Sequence, residues 1–141
     1  IEVLSPPRLL VAQEHFSIND YSLAVSLRYG RIDFILCGDL EEKALIYLAE
    51  HLPGPTSGPY AREGSDFLLV PHHGGWTPNA RQFAGKIHPQ IAVISADDSP
   101  SAQRAISLYR EAGAQVFLTS ETGAIIIHSD GKGLSTHSLL H

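Results

Sequence analysis

Ile32-Asp33-Phe34-Ile35-Leu36-Cys37-Gly38-Asp39 and Phe67-Leu68-Leu69-Val70-Pro71-His72-His73-Gly74-Gly75 are the stretches that decide how this chain is read. Each is a short, mostly apolar run that ends in glycine beside a carboxylate or an imidazole. Short apolar runs bounded by turn signals have the pattern of buried strands. Open α/β sheets place function at such strand ends, where the loops are free of core duties. A carboxylate and an imidazole from adjacent strands can converge on one divalent ion, because both suit zinc or manganese. The flanking glycines let the backbone approach an ion or a phosphate closely.

Working outward, Leu23, Val25, Leu27 and Tyr29 alternate with Ala24, Ser26 and Arg28, the period of a half-buried strand. Gly30-Arg31 suits a hairpin turn into the strand 32–37. Residues 1–21, with Pro6-Pro7 and a polar stretch at 17–20, read as irregular. After Gly38-Asp39, Leu40, Ala44, Leu45 and Leu48 form a helical stripe. Asp39 and Glu42 have the spacing of a capping box. Residues 52–65 read as a loop on composition. A helix is expected over 79–86, a strand over 91–95 and a helix over 101–112. That last helix has an N-cap within Asp97-Asp98-Ser99 and Pro100 at its first position. Strands at 116–119 and 123–127, then a turn and a short last strand, complete the order β-β-α-β-α-β-α-β-β-β. The class is α/β, a mixed sheet carrying helices.

Composition narrows function further. With 141 residues the chain is one domain of ordinary size, and 43% apolar content makes it globular. Ten Lys and Arg against fifteen Asp and Glu give a net charge of −5, which argues against a broad basic face for nucleic acid. No apolar run approaches the roughly 20 residues of a membrane helix. One cysteine, Cys37, excludes a disulfide framework and reads as a buried core thiol. The chain has no methionine and begins with Ile1, so it is expected to be a piece of a longer chain.

Each candidate residue has a plainer reading. Asp39 can simply cap its helix, and adjacent histidines after a strand are often loop surface. What raises the metal reading is that both signals occur together, each at a strand end beside glycine. His15, His51, His88, His128, His137 and His141 lack that context and read as solvated or structural, with His88 at a helix end.

The succession of Asn19-Asp20-Tyr21-Ser22-Leu23, Ile35-Leu36-Cys37-Gly38-Asp39, Leu69-Val70-Pro71-His72-His73-Gly74, Ala92-Val93-Ile94-Ser95, Thr119 and Gly123-Ala124-Ile125 resembles the second half of a metallo-β-lactamase-fold hydrolase. The nearest resemblance is to ComEC-type DNA-uptake (competence) proteins. It covers roughly Asn19 to Ile127 and implies the C-terminal half of an αββα sandwich, a single partial domain over residues 1–141 with helices on one face of a mixed sheet. It implies a phosphodiesterase or nuclease using two divalent ions, zinc or manganese, at one edge. Asp39 would bridge the ions as a catalytic ligand, and a histidine of the His72-His73 pair, with His73 favoured over His72, would bind one of them. Catalytic His72 would contact substrate phosphate, with Gly74 and Asn19 also on the substrate side. The substrate would be a phosphodiester, in the ComEC reading one strand of DNA.

The family's His-x-His-x-Asp-His signature is absent from this chain. The resemblance places it in a preceding half, which would complete the ligand set and leave the isolated chain inactive. This chain also has Gly75 where relatives tend to have serine, and Ser99-Pro100 where they often have His-Pro. Those losses favour the alternative of a degenerate, non-catalytic domain with a binding or structural role. A ComEC-type parent implies an extracellular or periplasmic setting, and any other parent a cytoplasmic one. Without the first half, Leu23, Val25, Phe34, Ile35, Ile125 and Ile127 should lose cover, so the missing half or a second copy is the expected partner.

Overall fold

The computed structural model describes residues 1–7, 17–52 and 65–140. Antiparallel pairing occupies one side of the main sheet. β1 (Glu2–Ser5) lies on β2 (Ala24–Tyr29), and β2 turns at Gly30 into β3 (Ile32–Leu36). From β3 onward the neighbours are parallel: β4 (Phe67–Leu69), β5 (Ile91–Ile94) and β6 (Gln115–Leu118). The sheet order is therefore the chain order, β1-β2-β3-β4-β5-β6. The helices are α1 (Glu42–His51), α2 (Ala80–Ile87), α3 (Pro100–Glu111) and the single turn α4 (Thr119–Thr122). A separate hairpin, β7 (Ile125–Ser129) with β8 (Leu134–Ser138), follows. The class is α/β with a mixed sheet, as the alternation of short apolar runs with helical stripes requires.

Period-two alternation sorts the two faces of the sheet. Ile35, Leu68, Ala92, Ile94 and Leu118 meet Leu40, Ala44, Leu45 and Leu48 around α1, Phe83 and Ile87 of α2, and Ile106 and Tyr109 of α3 in one buried cluster. The other face carries Phe67, Ile91 and Val93, with Phe34, Leu36, Leu69 and Phe117 beside them. The β7–β8 hairpin lays Ile125, Ile127 and Leu134 on that face. Two expectations about uncovered residues are thus corrected. Ile35 lies under the helices and is buried, and Ile125 and Ile127 have the sheet as their cover. Leu23 is 60% exposed and stands just before β2.

The reading of residues 1–21 as irregular is corrected on either side of residues 8–16, which lie outside the described residues. Glu2–Ser5 pair with β2 as an edge strand, where prolines immediately after it do no harm to a ladder. Ile18–Tyr21 form a 3-10 turn closed by a capping box between Ser17 and Asp20. Most of the loop expected over 52–65 lies outside the described residues, as do His15 and His141. Ser99 caps α3 by accepting from the Ala102 N–H at 3.2 Å, with Pro100 at the first position, as the sequence indicates. His88 ends α2 in the left-handed region.

The start of α1 is a further correction. The capping box of Asp39 with Glu42 does not form. Glu41 takes the N-cap position without a side-chain cap bond. Instead Asp20, buried and distant in sequence, accepts the Ala44 N–H through Oδ1 at 3.0 Å. Its other oxygen accepts from the Ser17 N–H and hydroxyl. A carboxylate at a helix N-terminus is favoured by the orphan N–H groups and by the helix dipole. Asp39 is thereby free of capping. Asp20→Ala should destabilise the protein by about 1–3 kcal/mol, the cost of a lost cap and a buried unpaired donor. Urea unfolding measures this, and an unchanged midpoint would contradict it.

Candidate metal centre

Leu36, Leu69 and Val93 are register partners across β3, β4 and β5. A parallel ladder keeps equal steps along neighbouring strands side by side. Asp39 lies three residues past Leu36, His72 three past Leu69, and Ser95 two past Val93. The strand ends are tied directly, since the His72 N–H donates to the Gly38 carbonyl at 3.0 Å.

After Pro71 the chain turns through residues of left-handed backbone: His72 (φ 48°), His73 (φ 53°) and Gly74 (φ 75°). For the two histidines this conformation costs roughly 1–2 kcal/mol each. The turn swings both rings to the sheet edge. His73 Nδ1 lies 2.7 Å from the Ser95 carbonyl. A carbonyl oxygen only accepts, so Nδ1 carries the proton and donates. In the neutral ring Nε2 then holds a lone pair, and it stands 3.3 Å from Asp39 Oδ1. Both side chains are exposed.

A second pair lies beside the first. His72 Nδ1 is 3.4 Å from Glu41 Oε1. The same Glu41 oxygen accepts from Asn19 Nδ2 at 2.9 Å. Hydrogen bonds from Ser17 and then Asn19 hold the Glu41 carboxyl below the usual carboxylate range, and His72 adds to this. Asn19 therefore joins the site through Glu41. Gly74 is buried against Ala105 and Ile94, and its carbonyl accepts from the Ser101 hydroxyl at 3.0 Å. Both histidines line a cleft of about 410 Å³ whose other wall includes Ser95, Asp97, Ser99 and Ser101.

Asp39 and His73 form a pair of donors. Among the described residues no group of three or more His, Cys, Asp or Glu side chains could hold a metal ion. Cys37 is not a candidate. It is fully buried, and burial pushes its thiol up to about 12. Sequence reasoning missed Glu41, which reads as an ordinary acidic residue of a first helical turn. It also missed Ser95, whose contribution is a backbone carbonyl and leaves no side-chain signal.

No family model matches this sequence, and no solved structure matches it. ComE operon protein 3 of Bacillus subtilis (strain 168) is 28% identical over 127 residues, 87% of this chain. The chain is distantly similar to that protein. It spans 15% of that protein's length. No helix among the described residues is long and apolar enough to cross a membrane.

Two outcomes test this local structure. A Cβ on Gly74 would sit 3.0 Å from the Ala105 Cβ and 3.1 Å from the Ile94 Cγ2, at a φ that favours glycine. Gly74→Ala should cost about 1–3 kcal/mol in denaturant unfolding; full stability would contradict the turn. At pH 8 the Cys37 thiol should resist alkylation in the native state and react once the chain is unfolded in urea, because the raised value keeps it protonated. Rapid native alkylation would contradict its burial.

Proposed function

We propose that this chain contributes Asp39 and His73 to the divalent-metal site of a phosphodiester-cleaving hydrolase in a competence-related protein. The observation that carries the reading is the 3.3 Å approach of His73 Nε2 to Asp39 Oδ1, with the other ring nitrogen tied to the Ser95 carbonyl. A lone pair and a carboxylate oxygen at that distance repel unless a cation or proton is shared. Donors of a tetrahedral zinc with bonds of about 2.0–2.1 Å stand roughly 3.3–3.4 Å apart, so the pair fits such an ion in type and spacing. Ring orientation by a backbone carbonyl on the far nitrogen is the usual support of a histidine ligand. The distant similarity to a ComE operon protein supports the competence setting.

A bound ion of this kind supplies Lewis-acid polarisation of a phosphoryl oxygen and lowers the pKa of water. The chain's own residues do the rest. Asp39 and His73 hold the ion at the strand ends. The Ser95 carbonyl fixes the His73 ring. Glu41, anchored by Asn19, orients His72 towards the cleft, where its imidazole can contact a phosphate oxygen. A catalytic zinc takes three protein ligands and an open position. We place the remaining donors, and a second ion, on polypeptide outside the described residues, either a preceding half-domain or a second copy. One observation favours a non-catalytic binding domain as second reading: a third metal-type side chain does not join the pair among the described residues.

Calorimetric titration with zinc and with manganese tests the site. Asp39→Ala and His73→Ala should each weaken binding by more than the roughly 10–100-fold that loss of an outer-shell partner costs. Manganese-dependent cleavage of a model phosphodiester by the parent protein should disappear in both variants. Wild-type metal affinity in both would overturn the reading. Intact metal binding without any cleavage would favour the non-catalytic one.

A further inference from the structure

Trp76 is the residue on which this inference rests. It is 52% exposed, although an indole is among the side chains that gain most from burial. Its place in the fold is specific. It directly follows the turn that carries both histidines. Gly75 permits a close approach: a Cβ there would lie 2.9 Å from the His72 carbonyl and 3.0 Å from its Nδ1, so the chain passes close over His72. The Trp76 N–H donates to the Ser101 hydroxyl at 3.1 Å, and that hydroxyl donates to the Gly74 carbonyl. Gly75 and Ser101 both line the cleft. The Trp76 backbone is thus anchored next to two residues of the cleft wall, and its exposed side chain is three positions past His73.

We propose that Trp76 is a substrate-binding residue, a stacking platform for a nucleobase attached to the phosphodiester held in the cleft. This rests on the reading of the Asp39–His73 site given above. The charge balance supports stacking as the source of affinity. The chain carries −5 overall, and Asp97 lies in the cleft wall, so Coulomb attraction for a polyanion is weak here. Stacking on an aromatic face is indifferent to charge and tolerates any base. A phosphodiester without an aromatic ring gains nothing from such a surface, so Trp76 selects nucleotide substrates over other phosphodiesters.

The chain has one tryptophan, so its emission reports Trp76 alone. A short oligothymidylate titrated without added metal should quench that emission saturably. An abasic strand of the same length and phosphate count should bind more weakly and leave the emission unchanged. Fluorescence anisotropy of labelled strands should show Trp76→Ala weakening the oligothymidylate by about 5- to 150-fold while leaving the abasic strand unaffected. Trp76→Phe should restore most of the loss. Should Trp76→Ala fail to show native circular dichroism, the wild-type quench and the Trp76→Phe affinity decide alone. Absence of quenching, equal quenching by the abasic strand, or wild-type affinity in Trp76→Ala would overturn the proposal. Calorimetry with zinc on the same samples separates the two readings. Metal binding that depends on Asp39 without base-dependent quenching leaves the metal site standing and removes Trp76. Base-dependent quenching with metal binding indifferent to Asp39 does the reverse.

Discussion

The parallel register of β3, β4 and β5 is the constraint on which the rest of this molecule depends. Leu36, Leu69 and Val93 stand in line because buried apolar runs leave no freedom to slip. A one-residue shift would turn each side chain to the opposite face, moving Leu68 and Ala92 out of the helix-covered core. Once that line is fixed, Asp39, His72 and Ser95 fall at one edge. Their meeting follows from hydrogen-bond geometry in the sheet before any side-chain attraction is considered.

That edge is held under strain. His72 and His73 occupy backbone conformations that L-residues avoid, and strain of this kind persists only where the surroundings over-determine it. Here the surroundings are identifiable. The Gly38 carbonyl takes the His72 N–H, the Gly75 N–H returns to the His72 carbonyl at 2.6 Å, and Gly74 sits against Ala105 and Ile94. The Ser95 carbonyl then fixes the His73 ring. Asp20 adds the complementary step by supplying the helix cap that Asp39 would otherwise provide. The Asp39 and His73 side chains are presented to solvent because buried neighbours do the structural work around them.

Much of this was legible in the sequence, for stated reasons. One period-two run, several short apolar runs and three helical stripes located the strands β2 to β8 and the helices α1 to α3 to within a few residues, because burial imposes those patterns; the single turn α4 at Thr119–Thr122 was read as the end of a strand. Asp39 and the histidine pair stood out because polar residues end otherwise apolar strands. β1 was hidden, since four residues before two prolines carry too little pattern, and an edge strand needs none. The origin of the α1 cap was hidden because it comes from Asp20, across the fold, while a local Asp-x-x-Glu pattern offered a decoy. Glu41 and Ser95 were hidden because one looks like any first-turn acid and the other acts through its backbone. Ile35 was misplaced by one alternation step, the usual penalty where a strand is apolar on both faces.

Two neighbouring strand ends are proposed to hold Asp39 and His73 to a single cation. Anomalous diffraction at the zinc absorption edge, from crystals of the protein grown with zinc, tests this most directly. A peak is expected within bonding distance of both Asp39 Oδ1 and His73 Nε2, with His73 Nδ1 still on the Ser95 carbonyl. Zinc located elsewhere, with that pair unliganded, would contradict it.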